Sequence, residues 1–264
     1  MMAGASIDVA ARLAGRVSGD STVAYSIAFA RAVEAALGVA PPAKAVWLRA
    51  LMAELERLAN HLGDIGAICN DAALSIMLAH CAMLRERVLR TSAGCFGSRL
   101  MMDCVVPGGV ARDLSDDTPA RAVIAELRDR FPPLVELYDG TASLQDRTVG
   151  TGIVHPELAQ RFGAGGYIGR AAGRDVDARR QPGYPPYDVL AFEVPVQNEG
   201  DVNARVWIRI KEVEQSLHLL DHILDGLPGG PLRTELPVGS GEGHTLVESF
   251  RGDVFAWVLS LIHI

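Results

Sequence analysis

The chain has 264 residues, 49% of them hydrophobic, which is enough apolar material to bury a sizeable core. Its formal net charge of −7 argues against a nucleic-acid-binding protein, which normally carries a basic face. No stretch approaches the roughly 20 apolar residues that a membrane-spanning helix needs, so we expect any membrane association to depend on an embedded partner.

The first half of the chain is predicted to be helical. Small apolar residues favour one helix over Thr22–Leu37. Residues 43–92 contain no proline and are rich in Ala, Leu, Met, Arg and Glu. This stretch is too long for an ordinary globular helix, so we predict two packed helices with the bend at Gly63, Gly66 or Asn70-Asp71.

The second half is predicted to alternate between helix and irregular structure. A third helix runs from Asp117 to about Tyr138, interrupted near Pro132-Pro133. Glycines cluster in residues 140–200, where we expect an irregular segment with one short strand at Val189–Val194. Apolar residues spaced by three and four predict a last helix from Val202 to Leu227.

A short β-hairpin, Thr245–Ser249 and Asp253–Val258, is the final predicted element. The predicted fold class is therefore mainly α, a bundle of about four long helices with small β additions (α+β), in a single domain over residues 1–258. The last six residues, 259–264, read Leu-Ser-Leu-Ile-His-Ile, which a common sequencing adapter also encodes. We predict that this hexapeptide is an artefact.

The cysteines and histidines do not form a pattern typical of a metal centre. No Cys-x-x-Cys pair occurs among the four cysteines, which are Cys69, Cys81, Cys95 and Cys104. This distribution favours reduced, buried thiols. His218 and His222 have a spacing that zinc accepts, but no third ligand accompanies them. We predict no metal site and a partly exposed histidine pair.

A polar stripe runs along the first long helix. Arg57, Asp64 and Asp71 follow one another at intervals of seven, with Asn60 and His61 between them. On a helix this spacing places them on one face, which is otherwise apolar and small. Buried polar groups must be paired, so composition favours an internal salt-bridge network over a catalytic role.

One motif precedes the first helix. Residues 16–21, Arg-Val-Ser-Gly-Asp-Ser, resemble the Arg-x-Cys-Gly-x-Cys motif of nickel–iron hydrogenase large subunits. Ser18 and Ser21 occupy the two cysteine positions. A hydroxyl is a hard ligand, whereas low-valent nickel and iron are held by soft thiolates. The resemblance therefore implies a relative that has lost this half of the metal cage.

A second motif narrows the resemblance. Glu56-Arg57-Leu-Ala-Asn60-His61, with Asp71 eleven residues after Asn60, resembles a pattern shared by group 4 hydrogenases and complex I. The sequence is similar to hydrogenase-4/formate-hydrogenlyase-type large subunits (component G or E). These are related to the 49-kDa family of complex I, the proton-pumping NADH:quinone oxidoreductase, in which the corresponding protein is the D subunit.

Further motifs of the same family follow in order: Gly97-Ser-Arg99, the stretch 169–179, the stretch 200–212, and Glu248-Ser-Phe-Arg251-Gly252. Arg99 is expected to hold a neighbouring carboxylate. The resemblance places the stretch 169–179 near an iron–sulfur small subunit. Helical spacing predicts ion pairing for the stretch 200–212. The residues assigned to structural or interface roles are Arg99, Arg170, Asp177, Arg179, Asp201, Arg205, Arg209 and Glu212.

The resemblance also implies a function. It predicts a peripheral-arm oxidoreductase subunit at the cytoplasmic face of a cell membrane, active only within a complex. The expected partners are an iron–sulfur small subunit, a 30-kDa-type (C-like) subunit or domain, and membrane-embedded ion-translocating subunits. No nucleic acid is expected. No cofactor is predicted to bind this chain directly, whereas a quinone-type acceptor is expected next to it.

The family pattern also assigns site residues. Asp71, His61 and Arg57 are predicted to be catalytic, and Gly19, Asp20 and Asp71 to bind substrate. Gly19 stands where complex I has its headgroup-binding tyrosine, and the loop histidine that pairs with the aspartate in complex I is absent. Two alternatives stay open: a nickel–iron hydrogenase large subunit, against which Ser18 and Ser21 argue, and a non-catalytic structural subunit.

Overall fold

The computed structural model describes residues 2–261 as a mainly helical fold with two antiparallel hairpins. The helices are α1 (Ile7–Ala14), α2 (Thr22–Leu37), α3 (Ala43–Asp71), α4 (Ser75–Phe96), α5 (Thr118–Arg130), α6 (Pro132–Gly140), α7 (Ala142–Thr148), α8 (Pro156–Arg161), α9 (Gly166–Ala171) and α10 (Val202–Gly226). The strands are β1 (Val105–Val106), β2 (Gly109–Val110), β3 (Gly241–Ser249) and β4 (Gly252–Ser260). The predicted fold class is confirmed.

Helix α3 is the central element of the core. It packs against α4 on one side and against α10 on another. Its buried leucines recur at intervals of three and four, which places them on one face of the helix. They are Leu48, Leu51, Leu55, Leu58 and Leu62. This apolar face makes α3 the scaffold that positions the polar residues of its other faces.

The turn between α3 and α4 lies later in the chain than two of its predicted positions. Helix α3 continues through Gly63 and Gly66 and ends at Asp71. A Cβ atom at Gly66 would lie 2.9 Å from the Cβ of Cys81 in α4. The glycine therefore serves close helix packing rather than a bend, and the turn at residues 72–74 follows the predicted Asn70-Asp71 position.

The hairpin of β3 and β4 packs across α2. Its register runs from Gly241 opposite Ser260 to Ser249 opposite Gly252, so both strands are longer than predicted. A Cβ atom at Gly241 would clash with a backbone carbonyl of α2. Glycine thus lets the strand approach the helix closely, and this contact brings the tip of the hairpin towards the residues that precede α2.

Residues 140–200 differ from the prediction in two respects, because they lack the expected strand and contain short helices. The strand expected at Val189–Val194 is wrong, because this segment is a turn followed by irregular chain with no ladder partner. An apolar, β-branched stretch forms a strand only where a neighbour supplies hydrogen bonds. Short helices α8 and α9 lie in the same region, as does the helical turn Arg179–Gly183.

The predicted helix over Asp117–Tyr138 is divided into α5 and α6 at Phe131. Pro132 lacks the N–H that would continue the hydrogen-bond ladder, so the predicted interruption is confirmed. Within residues 2–261, no helix has both the length and the apolarity needed to cross a bilayer. The single domain over residues 1–258 stays a prediction, and residues 262–264 of the predicted artefact lie outside the described part of the chain.

Candidate functional site

Eight ionisable side chains meet where α3, α9, α10, β3 and the segment 177–179 converge. We call them the buried charge cluster, and each is at most 3% exposed to solvent. They are Glu54, Arg57, His61, Arg170, Asp177, Arg179, Glu212 and Glu248. Charges buried in this way persist only when they are paired and hydrogen-bonded.

Glu212 of α10 is the centre of one half of the cluster. Its Oε2 lies 2.6 Å from His61 Nε2 and 3.5 Å from an Arg57 nitrogen, and its Oε1 accepts a hydrogen bond from Arg170. Burial by itself raises the pKa of Glu212, but Arg170 and His61 outweigh it and hold that pKa well below its usual value. Glu212 is therefore an anion that orients three donors.

Glu54 of α3 is the centre of the other half. It accepts hydrogen bonds from Ser216 at 2.6 Å, from the Tyr187 hydroxyl at 2.7 Å and from Arg179 at 3.0 Å. Burial by itself raises the pKa of Glu54, but the charges of Arg179 and Arg57 outweigh burial and hold that pKa below its usual value. Glu54 is therefore also an anion. The two carboxylates thus connect α3 to α10 and to the segment 177–187.

Asp177 and Arg179 form a close pair beside Glu54. The Arg179 Nε and Nη2 atoms donate to the Asp177 carboxylate at 3.0 and 2.7 Å. Burial raises the pKa of Asp177, but the charge and hydrogen bonds of Arg179 lower it to about 2. Arg170 lies 3.5 Å from the same carboxylate and joins this pair to Glu212.

Arg57 connects the cluster to the hairpin. Its Nη1 donates to the carbonyl oxygen of Ser249 at 3.1 Å, and its Nη2 donates to that of Glu248 at 3.0 Å. Both carbonyls belong to the end of β3. A guanidinium presents several donors in a rigid plane, so Arg57 fixes the hairpin tip and a carboxylate at the same time.

The second polar region is the loop in which Ser18 and Ser21 stand at the cysteine positions of nickel–iron hydrogenases, and we call it the 18–21 loop. Ser18 Oγ and Ser21 Oγ donate to Asp20 Oδ1, at 2.5 and 3.3 Å. Arg251, in the tip of the hairpin, donates to Asp20 Oδ2 at 2.6 Å. Burial raises the pKa of Asp20, but Ser18 and Arg251 outweigh it, so the pKa lies below its usual value.

Asn60 and Glu56 attach this loop to α3. The Asn60 amide donates to the Asp20 carbonyl oxygen at 2.5 Å. The Glu56 carboxylate accepts from the backbone N–H groups of Val23 and Ala24, at 2.6 and 3.1 Å. These N–H groups belong to the first turn of α2, which has no intrahelical acceptors for them. Glu56 therefore caps α2 from a different helix.

A small cavity of about 20 Å³ lies between the 18–21 loop and helices α3 and α4. Its lining includes Gly19, Asp20, Glu56, Asn60 and Arg85. That volume holds one water molecule and has the polar groups that a water needs. A Cβ atom at Gly19 would meet nothing within 4 Å, so the face of the loop at this position is open.

The predicted catalytic residues are not all brought together. Arg57 and His61 share Glu212 as a partner within the buried charge cluster. Asp71 is exposed at the end of α3, about 15 Å farther along the helix axis than His61. The three residues therefore do not form one compact group, because a common helix face extends along the axis, and the catalytic role of each stays a prediction.

The predicted substrate-binding residues divide in the same way. Gly19 and Asp20 lie next to each other at the cavity, and Asp71 lies outside it. The polar stripe also runs from buried Arg57 through Asp64, which pairs with Arg209 at 3.1 Å, to the exposed end of the helix. Its first two members thus form the internal salt bridges that composition favoured.

The residues predicted for structural or interface roles are mostly engaged inside the chain. Arg99 holds Glu86 with two hydrogen bonds of 2.9 and 2.7 Å, as expected. Arg170, Asp177 and Arg179 are buried, so their side chains act within the fold. Contact of the surrounding segment with an iron–sulfur subunit stays a prediction.

Asp201 and Arg205 of the stretch 200–212 have a helical-neighbour spacing but do not pair with each other. Asp201 caps α10 by accepting from the N–H of Ala204 at 2.7 Å and also accepts from the N–H of Gly150. Arg205 instead donates to the carbonyl oxygens of Gly152 and Gly200. Backbone N–H groups at the helix start occupy the carboxylate, which explains why spacing alone misassigned its partner.

Several polar residues of these two regions were not predicted from the sequence. Glu54 lies three residues before Arg57, a helical-neighbour spacing that predicts their 3.4 Å ion pair. Ser216 and Tyr187 gave no such signal, because they reach Glu54 from distant parts of the chain. Local spacing identifies neighbours on one helix, and it does not identify partners across the core.

The donor set does not suit a nickel–iron centre. In the 18–21 loop both hydroxyls donate to Asp20, and a hydroxyl is a hard oxygen where such a centre needs soft thiolates. His218 and His222 are both exposed, with ring centroids 4.1 Å apart. Over residues 2–261, no group of three or more His, Cys, Asp or Glu side chains has an arrangement suited to a metal ion.

Comparison with known proteins identifies the family. The family described as the respiratory-chain NADH dehydrogenase, 49 Kd subunit, matches residues 71–257. The chain belongs to this 49-kDa family. Formate hydrogenlyase subunit 5 of Escherichia coli (strain K12) is 32% identical over 254 residues, which are 94% of this chain and 44% of that protein. The D subunit of NADH-quinone oxidoreductase from Syntrophobacter fumaroxidans is 34% identical over 243 residues, 89% of this chain and 65% of the relative.

The fold has a close counterpart among solved structures. A chain of the membrane-bound sulfane sulfur reductase, an archaeal respiratory membrane complex, superimposes with a TM-score of 0.87 at 28% identity. The match covers 96% of this 49-kDa-family chain and 71% of that chain. The chain spans between 44% and 65% of the length of the two curated relatives given above.

Proposed function

We propose that this chain is a peripheral-arm subunit of a membrane-bound oxidoreductase of the complex I and hydrogenase-4 type, active only inside that complex. An iron–sulfur small subunit supplies electrons, and this chain forms one wall of the site where the acceptor receives them. A 30-kDa-type subunit and membrane-embedded ion-translocating subunits complete the assembly at the cytoplasmic face. The chain's membership of the 49-kDa family supports this assignment.

The observation that carries the proposal is the hydrogen bonding of the 18–21 loop. Ser18, Asp20 and Ser21 form a closed network in which the carboxylate accepts from both hydroxyls. Such a loop is built to stay in place without a metal, because each hydroxyl already has a partner. The proposed role is therefore acceptor binding rather than hydrogen activation.

The proposed acceptor is a quinone-type molecule. Two relatives of the chain are named as D subunits of NADH-quinone oxidoreductases, so their names indicate quinone as the acceptor. The cavity of about 20 Å³ is too small for a quinone ring, so the acceptor approaches the open face of the loop at Gly19. There Gly19 leaves space for the ring, and the Asp20 carboxylate accepts a hydrogen bond from a hydroxyl of the reduced acceptor.

The buried charge cluster supports this site from within. His61 and Arg57 orient Glu212 and the hairpin tip, and Arg251 of that tip holds Asp20. In this proposal they are positioning residues, since the structure keeps them away from solvent. Asp71 acts separately, at the exposed end of α3, as a group that exchanges protons with water.

The test is quinone-linked turnover of the complex purified from its host. Asp20→Asn should lower turnover at least tenfold while the complex still assembles, because the carboxylate that holds the acceptor by a hydrogen bond is lost. Asp113→Asn is the matched control, since Asp113 makes an exposed ion pair with Lys44 far along the chain. Unchanged turnover in Asp20→Asn with normal assembly would contradict the proposal.

The same preparation distinguishes the alternatives. Unchanged turnover in both Asp20→Asn and Asp71→Asn, with normal assembly, would favour a non-catalytic structural subunit. Nickel in a one-to-one ratio with the chain, measured by mass spectrometry of the metals, would favour a hydrogenase. Turnover lost in Asp71→Asn alone would move the acceptor site to the end of α3.

A further inference from the structure

The buried charge cluster contains more acid than base. Its carboxyl groups belong to Glu54, Asp177, Glu212 and Glu248, and its guanidinium groups belong to Arg57, Arg170 and Arg179. His61 is the remaining member. With every carboxyl ionised and the imidazole neutral, the cluster carries one uncompensated negative charge. A lone charge in a water-free interior is costly, and such groups change their protonation state instead.

Cations near the cluster do not restore the balance. Arg209 of α10 is paired with Asp64 of α3, and Arg251 of the hairpin tip is paired with Asp20. Arg31 of α2 lies 4.8 Å from the centre of the Tyr184 ring and is half-buried, so water screens its charge. The charged groups that face Glu248 are Arg170, Asp177, Arg57 and Arg179, and the Tyr184 hydroxyl accepts from its backbone N–H.

Two members of the cluster differ in their capacity for a further proton. His61 uses Nε2 with Glu212, and its Nδ1 has no hydrogen-bond partner among the described residues, so a proton there would lack an acceptor. Glu248 accepts from Arg170 at Oε1 and from the Ala178 N–H at Oε2, both at 2.9 Å. Each carboxyl oxygen has a second lone pair, so a proton can be added while both hydrogen bonds remain.

We propose that the buried charge cluster binds one exchangeable proton and that Glu248 carries it. Uptake converts the Glu248 carboxylate into a carboxylic acid by forming one O–H bond, and release returns the proton to water. No electron transfer is needed for this equilibrium. A role for this proton during electron transfer from the iron–sulfur subunit rests on the proposed function. The binding of the proton does not.

The electrostatics of the site agree with this assignment. Burial and the neighbouring Asp177 raise the pKa of Glu248 to about 7, against the opposing charges of Arg170 and Arg57. Burial lowers the pKa of His61, in spite of Glu212 beside it. A carboxyl group that titrates near neutral pH can both accept and release a proton under physiological conditions.

The test is an infrared difference spectrum of the full chain between about pH 8.5 and about pH 5.5, a range above the ordinary pKa of glutamate. Two carboxylic-acid C=O bands should appear at the lower pH, one from Glu248 and one from Glu56, whose pKa burial raises to about 8. Both should shift in protein labelled with ¹³C-glutamate, and the Glu248 band alone should be absent from Glu248→Gln. Glu86→Gln is the matched control, because Arg99 and Arg90 hold the pKa of Glu86 at about 2 and this carboxyl stays ionised throughout.

Three results would overturn the proposal: no carboxylic-acid band beyond that of Glu56, bands that ignore the glutamate label, or a spectrum of Glu248→Gln identical to that of the unsubstituted chain. Glu56→Gln leaves Glu248 intact, so the presence or absence of a labelled band in that variant decides the question even if Glu248→Gln fails to fold. A ¹⁵N nuclear magnetic resonance spectrum in which His61 becomes an imidazolium over this pH range, with no carboxylic-acid band beyond that of Glu56, would place the proton on His61 and also overturn the assignment. Turnover does not enter any of these results, so they stand apart from the test of the proposed function.

Discussion

Arg251 and Asp20 are 231 residues apart in the chain, yet the guanidinium of one lies 2.6 Å from the carboxylate of the other. This ion pair joins the hairpin tip to the 18–21 loop. Asp20 also accepts from Ser18 and Ser21, so the loop's geometry depends on a residue near the opposite end of the sequence. The 49-kDa-family fold thus holds the loop with a carboxylate and a guanidinium.

Arg251→Gln should lower the free energy of unfolding by about 0.2–1 kcal/mol, because both partners of this ion pair are partly exposed. The pKa of Asp20, now below its usual value, should rise when the guanidinium is removed. The lost stability should therefore be visible above about pH 4 and should vanish as the pH falls through the folded-state pKa. Urea unfolding at several pH values measures it, with Lys211→Gln, which removes an exposed pair with Glu214, as the control. A difference that grows as the pH falls would contradict this explanation.

Glu212→Gln should be far more damaging. It leaves Arg170, Arg57 and His61 in the interior without their shared anion, and breaking a buried pair on one side costs about 3–5 kcal/mol. Glu214→Gln, two residues away on the same helix and exposed, should change stability by less than about 0.5 kcal/mol. Chemical denaturation of both variants compares them, and equal effects would show that Glu212 does not hold the cluster together.

Gly66→Ala tests the close packing of α3 on α4. The added methyl group would lie 2.9 Å from the Cys81 Cβ and 3.1 Å from the Leu78 Cα, so the helices must separate. Overpacking costs about 1–3 kcal/mol, which exceeds the gain of up to about 1 kcal/mol in helix propensity. Gly94→Ala, also in a helix but with open space around its Cα, should be stabilising. Thermal unfolding should move the two variants in opposite directions, and a stabilised Gly66→Ala would disprove the packing account.

The cysteines should differ in their rates of alkylation. Burial raises the pKa of Cys69 and Cys104 to about 11 and that of Cys81 to about 12, so almost no thiolate exists at pH 8. Cys95 is half-buried and should react first with iodoacetamide. Mass spectrometry of native and urea-unfolded protein separates these rates. Labelling of Cys81 as fast as that of Cys95 in the native protein would mean that α3 and α4 are not packed as described.

The extent to which the sequence predicted this molecule follows from the range of its interactions. The periodic helices α2, α3, α4 and α10 were predictable because each presents apolar residues at helical spacing. The strand at Val189–Val194 was not, because a strand requires a partner that local sequence does not specify. Gly66 was misjudged for a related reason, since only the position of α4 reveals why a side chain is excluded there.

In the candidate site, too, residues could be identified from the sequence but their contacts could not. Resemblance identified Arg57, His61 and Glu212 as noteworthy, but it did not predict that they share one buried contact. Asp71 was grouped with them because its spacing by seven from Arg57 and Asp64 places it on the same helix stripe and because the family pattern includes it. The hydrogen bonds from the start of α2 to Glu56 could not be predicted from the sequence, because they depend on where α2 lies relative to α3.

The buried charge cluster also constrains how the chain is made. Glu54 and Arg57 leave the ribosome long before Arg170, Glu212 and Glu248, so during synthesis they must remain hydrated rather than enter a core that cannot yet neutralise them. The charged face of α3 can therefore be closed only after α9, α10 and β3 have been synthesised. Completion of this part of the core depends on the residues that are made last.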